Sequence, residues 1–393
     1  MIRTGIFTII VLGLLSCQKN NDNKRNEYNT KITNNSTEII GAEFVITDSL
    51  DVNIIGKDVQ LIDFSDNKRL YLVSSFYRND TLFLIDSLGK LVRKFKVTGE
   101  EPDKIGMLCA NVAFFNDSLI FTSGSRGYNI YDTDFKLIDK ANSPNKEPLL
   151  DNRKVRFYKN HAISFDRLNI SYNQLFAYKN DTKKIAANTK LLSDWDLKLK
   201  KHSFVINHPA NSKWITDNFC YSSLKKFFDM DMEGNLYVLI DPDFKIYRFN
   251  IENNFELEEE IVINLENYKR SFSIEIESMD KNFPKEQIVN SHIKNFYYAD
   301  SLFYIIYDTA VEESEYDRTT TDVDALKLYE GKRNYLTIYN RNGQKLINDF
   351  LLPANIDNIS FVKSKNQIYF KSNNYFEDLF ASRFYIGSIN NKD

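Results

Sequence analysis

Asp231-Met232-Glu233-Gly234-Asn235-Leu236-Tyr237-Val238 joins a tight polar turn to a run of apolar and aromatic residues. The same join comes back five more times. The other copies read Asn67-Lys68-Arg69-Leu70-Tyr71-Leu72, Asn116-Asp117-Ser118-Leu119-Ile120-Phe121, Lys159-Asn160-His161-Ala162-Ile163-Ser164, Ala299-Asp300-Ser301-Leu302-Phe303-Tyr304 and Lys365-Asn366-Gln367-Ile368-Tyr369-Phe370. A hairpin repeated at long intervals along one chain means a modular β architecture, and six copies predict a six-bladed β-propeller.

Each copy extends on both sides. A first strand precedes the turn, as in Val59 to Phe64 and Ile293 to Tyr298, and a second hairpin follows it. Thr81 to Asp86 and Leu91 to Phe95 flank Ser87-Leu88-Gly89-Lys90, and Tyr335 to Asn340 and Lys345 to Ile347 flank Arg341-Asn342-Gly343-Gln344. Asx at the strand end caps such a turn, and Gly tolerates its positive φ. Looser second hairpins are expected in blade three (Gln174 to Tyr178, Lys184 to Ala186) and blade four (Lys245 to Phe249, Phe255 to Glu260). Leu82 to Ile85 and Leu302 to Tyr307 are apolar on both faces, as a strand held between two neighbouring sheets requires. The 30 Phe and 23 Tyr suit the wedges between radiating blades. The sixth unit supplies three strands, Ile359 to Val362, Gln367 to Lys371 and Ser382 to Ile389. A spare N-terminal strand, Phe44 to Ile46 or Val52 to Ile55, is expected to complete it and close the ring. The fold class is therefore all-β: four-stranded antiparallel blades, the last closed by an N-terminal strand.

Residues 1–17 read as an export signal, with Arg3 ahead of an apolar core from Gly5 to Leu15 that is too short to span a bilayer. Leu14-Leu15-Ser16-Cys17 is similar to the bacterial lipoprotein signal, which implies lipidation of Cys17 and a membrane anchor. Residues 18–40 are rich in Asn and charge and poor in large apolar residues, so they are expected to be a tether ahead of a propeller spanning 41–393. Cys109 and Cys220 do not make a disulfide framework and are expected as buried free thiols. A net charge of -3 offers no basic surface for nucleic acid.

The long segments are Gly99 to Ala110, Ala141 to Lys154, Ala187 to Lys226, Val262 to His292 and Thr309 to Asn334. Propeller topology places all of them on one face, where binding usually resides. Candidate ligand-binding residues there are Glu100, Glu101 and Asp103 in a Gly- and Pro-bearing loop, and Arg126, Arg167, Asp241 and Asp308 at the ends of second strands. The acids could meet a cation or sugar hydroxyls, or be solvated on a rigid crossover; the arginines could grip a carboxylate or phosphate, or bridge blades. The acids of 309–334 could form a lid or be a solvated charged loop. His161, His202, His208 and His292 have no metal-ligand spacing, and no phosphate loop or nucleophile elbow is present. No catalytic residue, metal or cofactor is therefore assigned.

Val97 to Gly106, with Gly-Glu-Glu-Pro-Asp-Lys-Ile-Gly before Phe114 to Phe121, together with the signal, the tether and the six units, resembles the six-bladed propeller lipoproteins of unknown function, TolB-like or NHL-like, found in Gram-negative gut-type bacteria. Asp231 to Val238 is similar to a turn found in several propeller families. The resemblance implies a fold and an envelope location, with the outer membrane favoured because Gln18 is not an acidic retention residue. Two functions follow. One is a lipid-anchored binding or sensing module for a glycan, peptide or envelope protein. The other is a propeller hydrolase or lyase acting on a polysaccharide or lactone, with channel carboxylates and Ca²⁺.

Overall fold

The computed structural model describes residues 42–54, 59–75, 80–107, 109–124, 126–143, 154–165, 182–216, 225–241, 243–270, 285–372 and 381–391. Cys17, the 18–40 segment, Arg167 and Cys220 lie outside them. The described chain forms six four-stranded antiparallel sheets. The first strand, β1 (Ala42–Asn53), belongs to the last sheet. Blade one is β2 (Val59–Ser65), β3 (Leu70–Ser75), β4 (Thr81–Ile85) and β5 (Leu91–Lys96), and blade two is β6 (Cys109–Phe115), β7 (Leu119–Gly124), β8 (Gly127–Tyr131) and β9 (Leu137–Asn142). Blade three is β10 (Val155–Tyr158), β11 (His161–Ser164), β12 (Lys190–Asp196) and β13 (Lys201–Asn207), and blade four is β14 (Lys226–Met230), β15 (Asn235–Ile240), β16 (Lys245–Asn250) and β17 (Glu256–Val262). Blade five is β18 (Ile293–Ala299), β19 (Leu302–Asp308), β20 (Asn334–Asn340) and β21 (Lys345–Leu351). Blade six is β22 (Ile356–Ser364), β23 (Gln367–Ser372), β24 (Ala381–Asn391) and, on its outside, β1.

The expected closure is present, and one strand takes in Phe44 to Ile46 and the beginning, Val52 and Asn53, of the second candidate segment. Its register on β24 runs from Ala42 opposite Asn391 to Asn53 opposite Ala381, with a shift between Ile46 and Asp48. The first strand of each blade is innermost, and β14, β18, β22, β2, β6 and β10 follow one another around the axis in that order. Six apolar clusters fill the six wedges. Leu72, Leu84, Val112 and Ile120 pack between blades one and two, Ile163, Leu192, Phe228 and Leu236 between three and four, and Leu50, Val52, Leu61 and Phe83 across the closing seam. At that seam the Tyr71 and Tyr369 hydroxyls meet at 2.7 Å. Every residue of β4 is buried, because a blade's middle strands have a sheet on each side.

Blade three corrects the sequence expectation. Gln174 to Tyr178 lies outside the described residues, and Lys184 to Ala186 belongs to a helix, Thr182–Asn188, that buries Ile185 and Ala186. The outer hairpin is β12 and β13, inside the segment expected to be a loop from Ala187 to Lys226. Its turn has no glycine: Lys200 takes a φ of 53° and Asp196 Oδ1 accepts the Leu199 amide. The same segment also holds the short helix Lys213–Thr216. Thr309 to Asn334 is helical too, with Glu313–Tyr316 and Asp322–Glu330.

Candidate ligand-binding face

The loop after β5 is a braced crossover. Gly99 and Gly106 form a bridge, and Val97 and Ile105 are buried beneath it. Arg126 Nη1 donates to the Glu100 carbonyl at 3.0 Å, and its guanidinium pairs with the Glu100 carboxylate. The Asp103 carbonyl accepts from the Tyr131 hydroxyl (2.5 Å) and Asn129 Nδ2 (3.2 Å), while its carboxylate pairs with Lys104 at 3.3 Å. The Glu101 carboxylate folds back over Gly99. Glu100, Glu101, Asp103 and Arg126 are thus brought together, but the acids serve separate partners rather than one centre.

Asp241 and Asp308, at the ends of β15 and β19, enter a buried polar network built by the connection from β17 to β18. Asp241 Oδ1 accepts from the Tyr268 hydroxyl at 2.5 Å and lies 3.7 Å from Arg270 Nη1. Its carbonyl accepts from Trp214 Nε1 at 2.8 Å. Asp241 Oδ2 faces His292 Nδ1 at 3.6 Å, beyond hydrogen-bond length, and neither atom has a hydrogen-bond partner. Burial alone would raise the Asp241 carboxyl, but His292, Arg270 and Tyr268 hold it below its ordinary value. Arg270 Nη2 pairs with the fully buried Glu286 at 2.8 Å. Asp308 Oδ1 accepts the His292 amide at 2.6 Å and pairs with Lys332 Nζ at 3.1 Å. Lys332 also donates to the Asn290 and Gln287 carbonyls at 2.7 and 3.1 Å. Arg270, Glu286 and Lys332 could not be singled out by sequence, because each is identified only by a partner distant along the chain.

That network carries the blade-five insertion. Lys285 pairs with Glu313 at 2.6 Å and Asp317 at 2.9 Å, and Thr321 caps the helix Asp322–Glu330 by accepting the Asp324 amide. On the insertion lies an open hollow of about 550 Å³ lined by Tyr316, Asp317, Thr319, Thr320, Thr321 and Asp322. Thr319 donates its hydroxyl proton to the Tyr316 carbonyl (2.7 Å), and Thr321 donates to Asp324 Oδ2 (2.8 Å). With their protons so engaged and two carboxylates beside them, the lining is acceptor-rich and suits a ligand rich in hydrogen-bond donors and without negative charge.

The axis holds a third cluster. Asp63, Ala113, Arg156, Asp229 and Tyr297 pair with Leu72, Phe121, Ile163, Tyr237 and Tyr304, and so occupy one register position in successive blades. Aligning the copies would have found that ring, which mere proximity in sequence conceals. Asp229 accepts from Arg156 Nε at 2.5 Å, Lys154 Nζ at 2.8 Å and the Met230 and Tyr298 amides at 2.9 Å each. Burial would raise this carboxyl, but Arg156 and Lys154 hold it below its ordinary value. Lys154, from blade three, also donates to the Phe296 carbonyl of blade five at 2.9 Å and lies over the Tyr297 ring. Among the described residues no group of three or more His, Cys, Asp or Glu side chains is arranged to hold a metal ion.

No protein-family model matches the chain, and no curated protein sequence is similar to it. Among solved structures it is similar to a member of the DUF4221 family from Bacteroides vulgatus, at 12% identity and a TM-score of 0.68 over 90% of this chain and 100% of that one. A protein of unknown function from Bacteroides caccae (9% identity, TM-score 0.42, 79% and 94% covered) and a gluconolactonase from Xanthomonas campestris (8% identity, TM-score 0.42, 90% and 98% covered) are more remote. At such identities the first likeness is one of fold alone, and the other two bear on nothing further: the chain is an all-β, six-bladed propeller.

Proposed function

We propose that this chain is an exported, lipid-anchored module of the bacterial envelope that binds or senses a ligand on the face built by its long connections. The observation that carries the reading is the blade-five insertion, a helical element held to the ring by Lys332–Asp308 and Lys285–Asp317 and bearing an open, acceptor-lined hollow on its surface. A rigid scaffold that presents one structured insertion suits recognition. The hollow favours a neutral glycan, whose hydroxyls would donate to Asp317, Asp322 and the threonines. The buried axial carboxylate of Asp229 is occupied by two cations and two amides and so is not free for nucleophilic or base chemistry. The signal ending at Cys17 supports the anchor.

The test is a glycan array probed with the full propeller and with a form in which residues 310–331 are replaced by a short Gly-Ser link. Neutral saccharides should bind the parent and lose at least tenfold in affinity with the replaced form and with Asp317→Asn/Asp322→Asn. Equal binding by all three proteins, or a preference for anionic sugars, would overturn the site. Absence of labelled fatty acid on the parent, relative to a Cys17→Ala control, would remove the anchor.

A further inference from the structure

We propose that the charges on the axis, buried Asp229 and half-buried Asp63, Lys154 and Arg156, form a proton-responsive joint that sets how firmly the inner strands of blades one and two, and of blades three, four and five, hold together. The geometry is that of a joint. Lys154 and Arg156 leave blade three for Asp229 of blade four, and Lys154 continues to the Phe296 carbonyl of blade five. Asp63 of blade one accepts the Phe114 amide of blade two at 2.9 Å. Arg156 and the Tyr297 ring share the field of both aspartates. Between blades three and four β10 has only four residues, so side chains make much of the join.

The groups around each titrating member work in opposition. Burial pushes the Asp63 carboxyl up to about 6; Arg156 of β10 and the Phe114 and Phe64 amides pull it down, and Asp117 of the next turn raises it. Burial brings the Lys154 ammonium down to about 7, against Asp229 of β14 and with Arg156 beside it. Arg156 and Asp229 keep their charges, so the cluster carries +1 in mild acid, zero between about pH 6 and 7, and -1 above. A purely architectural brace needs no titrating member, since packed apolar residues serve as well; shifted groups gathered at one point suggest a function. Asp229 lies on β14, and the Phe296 carbonyl that Lys154 reaches lies on β18. The joint does not depend on the glycan reading.

The sign follows from proton linkage. Asp63 binds its proton more tightly folded than unfolded, so its contribution is present at low pH and is lost as pH rises from about 4 to 6. Lys154 binds its proton less tightly folded, so its contribution is present at high pH and is lost as pH falls towards about 7. The two together make the ring loosest between about pH 6 and 7. His202 and His208, which burial brings down to about 4 and 3, lose stability as pH falls over the same acid range. Only the difference between parent and variant isolates Asp63.

The experiment is equilibrium urea unfolding of the full chain from pH 4 to 9, beside Asp63→Asn and Lys154→Arg. Relative to Asp63→Asn, the parent should lose about ten- to a hundredfold in its folding constant between pH 4 and 6 and nothing further above 6.5. Relative to Lys154→Arg, which cannot lose its proton, the parent should gain a similar factor between pH 7 and 9. If arginine prevents folding, Lys154→Met serves, with the same expected difference curve. A flat difference curve for either position overturns the joint.

Discussion

Lys332 and Asp308 show what one buried pair does at the residue scale. Their side chains are 3% and 5% exposed, and burial draws the ammonium below its ordinary value although Asp308 opposes the shift. Asp308→Asn leaves that cation without its countercharge, and removing one partner of a buried pair costs about 3–5 kcal/mol. We expect a loss of that order in urea unfolding, with much of it recovered in Asp308→Asn/Lys332→Met. Cys109 gives a second test. Burial pushes its thiol up to about 12, and only the thiolate is a nucleophile, so it should resist alkylation at pH 8 in the native chain and react in urea. Peptide mass spectrometry reads both states; alkylation in the native chain would contradict the burial. The strand-end positions of Asp241 and Asp308 were legible in the sequence, but not that both would be buried against internal partners rather than open to a ligand. Their partners Arg270, Glu286 and Lys332 were not legible, since nothing local marks a residue whose role is to neutralise another blade.

The repeated element is the outer hairpin, and its chemistry is local enough to read directly. Asp86, Asp132 and Asn340 each accept two amides of the following turn through Oδ1. Gly89 and Gly343 supply the positive φ in two of these turns. Beyond the turn, Val92, Ile138, Glu258 and Leu346 fall between paired residues, so the outer strands of blades one, two, four and five each bulge at the same place. Such bulges discourage pairing with another molecule. Blade three escaped the sequence because β12 begins only at Lys190, far beyond the end of β11 at Ser164, and its turn carries Lys200 where blades one and five have glycine. Gly89 has a second constraint, since a Cβ there would lie 2.0 Å from the Asp51 carbonyl of β1. Gly89→Ala should therefore cost more than the roughly 1–2 kcal/mol of a left-handed backbone alone. Gly343→Ala meets the Ile261 side chain at 2.8 Å, a side-chain contact rather than the closer backbone clash at Gly89. Thermal unfolding should rank Gly89→Ala below Gly343→Ala, and the reverse order would count against that seam.

The ring as a whole depends on the strand furthest from its partners in sequence. Its presence was legible because the sixth unit lacked one strand; its length was not, since Thr47, Asp48 and Ser49 break the apolar pattern between the two halves of β1. The register shift after Ile46 lets both halves pair with β24. Phe44, Leu50 and Val52 are buried there. At about 1.5–3 kcal/mol for each such side chain, their burial amounts to about 4–9 kcal/mol as an upper estimate. That is comparable to the whole net stability of a domain, roughly 5–15 kcal/mol. Removing the strand would also bare the edge of β24, with its unpaired backbone and apolar Phe384 and Ile386. A chain that begins at residue 41 should therefore unfold cooperatively as a soluble monomer. A chain that begins at residue 55 should aggregate or lose its sharp transition, by size-exclusion chromatography and circular dichroism. Equal monomer yield and equal melting of the two chains would mean that blade six stands on three strands and that the closure does not hold the ring.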